Sequence, residues 1–203
     1  MFAIVESGSI TSMPRGNKSF KLGDTQYPAS VFTLWTESER NAIGLYTVEI
    51  DETNKKNSKW YVNTNITYAF GSGKVTGSYG TATAKAHADT LWTSQDKTDN
   101  KIPNGKDVGD VATEGLKTQL IRDVKGQAES ILNQTDWYVT RKAEEDTAIP
   151  SAITTHRRAV RTKQASMETA ITNAADTAAL EALYTRDSDN DRPLGELPEL
   201  QTL

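Results

Sequence analysis

The residues able to do chemistry fall into a few groups, and each has a plainer reading beside the chemical one. Gly71-Ser-Gly-Lys74 has the look of a phosphate-cradling loop. A full loop of that kind needs a glycine five positions before its second one and a Ser or Thr after the lysine. Tyr68 and Val75 stand there instead, so the segment reads as a hairpin turn. Asp187, Asp189 and Asp191 have the one–three–five spacing of a calcium loop. Arg192 replaces its central glycine and Pro198 its bidentate glutamate, which leaves a solvated acidic turn. His156 has no acidic or thiol partner at ligand spacing, and His87 lies in a separate polar segment. They give no argument for catalysis, and His156 reads as a surface or interface histidine.

Three further groups are charged or aromatic. Glu144-Glu145-Asp146 precedes Pro150, and the electrostatics of a helix start explains it better than acid–base work, which needs a buried carboxylate. Arg157, Arg158, Arg161 and Lys163 form a basic helix face. On a chain of net charge −4, that face pairs with acidic residues of a neighbouring helix or subunit rather than with nucleic acid. Trp137 and Tyr138 sit beside a helix break. They either plug the corner between two helices or serve as interface anchors, packing being the favoured role.

Composition narrows the classes. There is no cysteine, which excludes disulfide scaffolds, thiolate zinc sites, iron–sulfur clusters and cysteine nucleophiles. Only 36% of the residues are hydrophobic, while 27 are threonine. That suffices for a modest core and favours completion by a partner or by self-association. No stretch approaches the roughly 20 apolar residues that a membrane span needs. The N-terminal residues lack a basic segment followed by a long apolar one and read as mature sequence.

The elements that must position these residues divide the chain. In 58–70, Trp60, Val62, Ile66, Tyr68 and Phe70 share one face of an alternating pattern, and Tyr61, Asn63, Asn65 and Thr67 the other. Leu45 to Ile50 and the stretch from Val75 to Ala84 are further strands, and Phe2–Val5 and Ser19–Leu22 add short ones. Thr36 and Glu39 form a capping box for one short helix, which Gly44 ends. Residues 85–110 are polar and weakly patterned, a linker or loop. Leu116, Leu120, Val124, Ala128 and Ile131 recur at helical steps until 133–135. A second helix begins near Pro150, which suits a first helical position. It carries Ile153, Val160, Met167 and Ala174 at steps of seven, with Arg157, Gln164, Ile171 and Ala178 as a companion row. Asp176 caps a short third helix.

The expected fold class is therefore α+β. An N-terminal antiparallel β meander domain with one short helix (1–84) is followed by a linker or loop (85–110). A C-terminal helical hairpin domain (111–185) and a tail (186–203), extended or draped on a partner, complete the chain.

The segment TDWYVTRKAEEDTAIPSAITTHRRAVR resembles a helical hairpin near the C-terminus of tailed-bacteriophage tail-fibre and tail-fibre-assembly-type proteins. The matching residues are Thr135, Asp136, Trp137, Arg141, Pro150, Ile153, Arg157 and Arg161. Tyr27-Pro28, Phe32, Thr36, Glu39, Arg40 and Gly44-Leu45 are similar to the segment that those proteins use for a short helix after a Tyr-Pro turn. The long repetitive shaft of many such fibres is missing.

The resemblance implies a non-enzymatic structural component of a bacteriophage virion, in the tail, baseplate or fibre attachment. It would be assembled in the host cytoplasm and act through protein–protein contacts. The alternative is a tail-fibre assembly chaperone absent from the mature particle. Expected partners are other virion proteins and copies of the chain itself, with no nucleic acid and no membrane. No catalytic, cofactor or metal residue is expected. Trp137, Tyr138, Arg141, Arg157 and Arg161 are the candidate residues that define the hairpin or its interface.

Overall fold

A computed structural model describes residues 1–16 and 18–200. The fold class is α+β, with strands in the first part and helices in the second. The chain forms two compact units, one of Met1–Thr83 and one from Ala84 onward.

In the first unit, β1 (Phe2–Glu6) and β2 (Ser9–Ser12) form a hairpin, and β3 (Phe20–Leu22) and β4 (Thr25–Tyr27) a second. Two short helices follow, α1 (Val31–Leu34) and α2 (Glu37–Ala42). The Thr36–Glu39 capping box forms as the sequence indicates: the Thr36 N–H donates to Glu39 Oε2 at 2.7 Å and the Glu39 N–H returns to Thr36 Oγ1 at 3.3 Å. Next come β5 (Leu45–Asp51), β6 (Tyr61–Val62), β7 (Ile66–Gly71) and β8 (Lys74–Tyr79).

The sheet is not the expected antiparallel meander. Its order is β2-β1-β5-β8-β7, and β8 runs parallel to β5, with Val48 opposite Val75. Burial explains the exchange. In β8 both Val75 and Gly77 are buried, so it takes the centre. In β7 only alternate residues are half-buried, the pattern of an edge. A side chain at position 77 would lie 2.8 Å from the Tyr68 ring, 2.9 Å from Ile66 and 3.0 Å from Ile50, so glycine is what lets the strands close there. The sheet curls until its edge strands β2 and β7 approach each other.

The long strand expected across 58–70 is also corrected. Residues 63–65 leave the ladder, Trp60 and Tyr61 are both buried, and Val62 is 58% exposed. The period of two holds only for Ile66, Tyr68 and Phe70.

The sheet buries both faces. Ile4, Phe20, Val31, Phe32 and Leu45 form one apolar cluster under α1 and the β3–β4 hairpin, ringed by Phe2, Tyr27 and Trp35. Ala3, Val5, Val48 and Val75 form the other inside the curl, with Tyr46 and Phe70 packed at 4.9 Å.

The division between the units falls within β9 (Thr83–Ala84), and the second continues through β10 (Thr90–Leu91), α3 (Ser94–Thr98) and β11 (Val111–Thr113). The polar segment 85–110 thus carries a strand and a capped helical turn, closed by Thr93 and Asp96. Strand β10 pairs with β11. Helix α4 (Leu116–Asn133) buries Leu116, Leu120, Val124 and Ala128, four of the five residues in the row read from the sequence, and leaves Ile131 half-buried. Helix α6 (Ser151–Asn173) buries Ile153, Arg157, Val160, Met167 and Ile171, with Ala174 just beyond its end. Pro150 is its N-cap, one residue ahead of the expected position.

The two helices pack antiparallel. Lys117 Nζ reaches the Thr172 carbonyl (2.8 Å), and Lys125 pairs with Glu168 (3.5 Å). Between them lies a helix that the sequence reading left out, α5 (Asp136–Glu145). Helix α7 (Thr177–Tyr184) buries Leu180 and is capped by Asp176 as expected. The tail holds no helix or strand among the described residues, as expected, and packs in part on its own unit. Leu194 and Leu197 are buried within this unit, and the Leu194 N–H donates to the Leu183 carbonyl at 3.0 Å.

Candidate interaction site at the α4–α5–α6 corner

Helix α4 ends where two residues, Gln134 and Thr135, turn the chain into α5. The Thr135 N–H and Oγ1–H both donate to the Leu132 carbonyl, each at 3.0 Å, and Thr135 is fully buried. The last carbonyls of a helix have no partner within it and need donors from elsewhere. Arg157, from α6, supplies one. Its Nη1 donates to the Leu132 carbonyl (2.8 Å) and to Thr135 Oγ1 (2.7 Å), while Nη2 meets Asp136 Oδ1 at 2.7 Å. One planar guanidinium thus holds the end of α4, the corner hydroxyl and the first residue of α5. A lysine ammonium cannot copy that fork. The charges also suit the helix ends: a cation at the C-terminus of α4 and a carboxylate in the first turn of α5. Arg157 is 8% exposed, so the expected pairing of the basic face with a neighbouring helix holds at this residue.

The corner sets the start of α5 and with it the aromatic pair. Trp137 does not plug the hairpin: it is 51% exposed, and Thr135 occupies the buried corner instead. The Trp137 and Tyr138 ring centroids lie 3.7 Å apart. The Arg141 guanidinium sits 4.8 Å from the first ring and 5.5 Å from the second. These three side chains form one surface platform on α5. Arg161 stands apart on α6, exposed, between two grooves. One runs past Leu132, Gln164, Ala165 and Glu168; the other, about 440 Å³, has Val139 and Ile149 on one side and Thr154, Arg157 and Arg158 on the other.

The remaining groups resolve as follows. Gly71 pairs with Lys74, and Ser72 and Gly73 both take positive φ (52° and 75°), so the segment is a two-residue hairpin turn. Asp187 Oδ1 accepts the N–H groups of Asp189 (2.9 Å) and Asp191 (3.0 Å), closing its own exposed loop. Among the described residues no group of three His, Cys, Asp or Glu is arranged to hold a metal ion. Glu144 and Glu145 end α5 rather than opening α6, a correction that follows from the unforeseen helix, and Asp146 caps it in the left-handed region at φ 56°. His156 is half-buried, with Nε2 enclosed and unpartnered. The His87 carbonyl accepts the Lys117 N–H at 2.9 Å.

Sequence reasoning missed Asp89. Its Oδ1 accepts the Gly115 N–H (2.7 Å) and its Oδ2 the Thr118 hydroxyl (2.9 Å), so it caps α4 from 26 residues upstream. Those two bonds hold its carboxyl below the usual aspartate range. The signal available was the lack of any capping side chain at Gly115 itself.

No family model, no curated protein and no solved structure matches this chain.

Proposed function

We propose that the chain is a non-enzymatic structural component of a bacteriophage virion, a tail, baseplate or fibre-attachment protein working through protein–protein contacts. The observation that carries the contact reading is the exposed Trp137, stacked with the half-buried Tyr138 and Arg141 on a corner fixed by Arg157. Large aromatics and arginine dominate the energetics of protein interfaces, and a platform with a fixed base loses little entropy on docking. The phage assignment rests on the resemblance of Thr135, Asp136, Trp137, Arg141, Pro150, Ile153, Arg157 and Arg161 to the tail-fibre group. Three of those residues, Thr135, Asp136 and Arg157, are the ones that build the corner.

The partners proposed are other virion proteins or further copies of the chain, met in the host cytoplasm and retained in the particle. Neither nucleic acid nor a membrane is part of the reading. No helix among the described residues is long and apolar enough to cross one.

Mass spectrometry of purified particles tests the proposal. Recovery of the chain at a defined copy number supports it. Recovery from the lysate alone moves the assignment to an assembly chaperone. Turnover of host polysaccharide by the purified protein would overturn the non-enzymatic reading.

A further inference from the structure

We propose that Asn104 is a site of spontaneous deamidation, a covalent modification that the chain performs on itself. The reaction requires the backbone nitrogen of the next residue to reach the asparagine Cγ, and any side chain on that residue obstructs the approach. The sequence holds eleven asparagines, and Asn104 alone precedes a glycine.

The structure leaves this pair free to react. Pro103 to Lys106 form a turn closed by the Lys106 N–H, which donates to the Pro103 carbonyl at 3.1 Å. Gly105 sits at its third position with φ +83°, the arrangement of a type II turn, and space is open where a Cβ would stand. The Gly105 nitrogen therefore has no part in closing the turn. Asn104 is exposed and its amide makes no hydrogen bond among the described residues. It borders a water-accessible cleft of about 430 Å³ that Lys97 and Lys106 also line. Other asparagines are held. Asn57, which precedes a serine, accepts the Lys59 N–H at its Oδ1 (2.9 Å), and Asn63 bonds both the N–H and the carbonyl of Lys56 at 2.8 Å.

The steps balance without an oxidant or a cofactor. The Gly105 nitrogen gives its proton to water and bonds to Asn104 Cγ. The Cγ–Nδ2 bond breaks, and the nitrogen leaves as ammonia with a proton from water. The resulting five-membered imide is opened by water at either carbonyl, leaving aspartate or isoaspartate at position 104. Both carry a new negative charge toward the lysine-lined cleft. Isoaspartate also adds one methylene to the main chain inside the turn, which displaces the bond between Lys106 and Pro103.

The test is incubation of the full folded chain at neutral and mildly alkaline pH, followed by trypsin and chromatographic mass spectrometry. The fragment Ile102–Lys106 should gain the amide-to-acid mass increment and split into two isomers. Its conversion should run several-fold ahead of that at Asn57 in the same digest and quicken as pH rises. Conversion no faster than at Asn57 would overturn the proposal. So would a rate in the folded chain far below that of a synthetic Ile-Pro-Asn-Gly-Lys peptide, because the turn would then be protecting the site.

Discussion

Replacing Arg157 by methionine keeps a buried apolar stem and removes the guanidinium that ties α4, Thr135 and Asp136 together. The expected cost follows from its three contacts. A hydrogen bond to a charged donor contributes about 1.5–3 kcal/mol, and the two to Leu132 and Thr135 share one nitrogen, so they do not add in full. The Asp136 side chain is 52% exposed, which limits the ion pair to the surface range of about 0–1 kcal/mol. The Leu132 carbonyl keeps the Thr135 hydroxyl and amide as donors, so neither is orphaned. The net expectation is a loss of about 3 kcal/mol, one charged hydrogen bond in full, the second in part and a surface-range ion pair. Arg157→Lys should recover less than half, since an ammonium cannot span all three acceptors. Urea unfolding of the full chain followed by circular dichroism measures the loss. Because the two units are separate compact bodies, amide hydrogen exchange must locate it, and protection should fall over residues 128–140. A loss below about 1 kcal/mol, or one spread evenly over α4 and α6, would refute the idea that one guanidinium fixes the corner.

Other perturbations probe the rest of the molecule. Trp137→Ala should change thermal stability by less than about 1 kcal/mol, against the roughly 3–5 kcal/mol expected of a core-plugging tryptophan. Gly77→Ala should destabilise the first unit by about 1–3 kcal/mol in a denaturant melt, because the new methyl meets Tyr68, Ile66 and Ile50 at 3.0 Å or less. Asp89→Asn should destabilise α4 at neutral pH, read as lost amide protection at Leu116 to Leu120. The folded carboxyl is depressed, so its contribution is present above the unfolded aspartate value and is lost as pH falls through the folded one. Wild type and variant should therefore converge in strong acid, and a difference that widens on acidification would contradict the capping role.

What the sequence made legible was local. Most of the α4 row and the Ile153–Val160–Met167 steps of α6 are buried as read, because a helix writes its buried face at a fixed period, while Ile131 is half-buried and Ala178 of the companion row lies exposed in α7. The Thr36–Glu39 box and the hairpin at Gly71–Lys74 were equally plain, each being complete within four residues. Non-local choices were not legible. Nothing near β8 announces that it slips between β5 and β7, since that depends on which strand buries more. Helix α5 buries no residue and so has no apolar stripe to detect, which left Trp137 assigned to a plug and Glu144–Asp146 to the wrong helix end. The Asp89 cap acts across 26 residues, and the burial of Leu194 and Leu197 depends on a surface made by other segments. At the candidate site, the motif residues were picked out before their roles. Thr135, Asp136 and Arg157 build the corner, Trp137, Tyr138 and Arg141 form the surface it carries, and Arg161 joins neither group but lines the two grooves beside the corner.

The most direct test of a contact-borne role is quantitative mass spectrometry of purified virus particles, made with the wild-type chain and with a Trp137→Ala/Arg141→Glu variant that remains folded. The wild-type chain should copurify at a fixed ratio to the other virion proteins, and the variant should be depleted from particles while remaining soluble in the lysate. Particles devoid of the wild-type chain, or equal retention of the variant, would contradict the proposal.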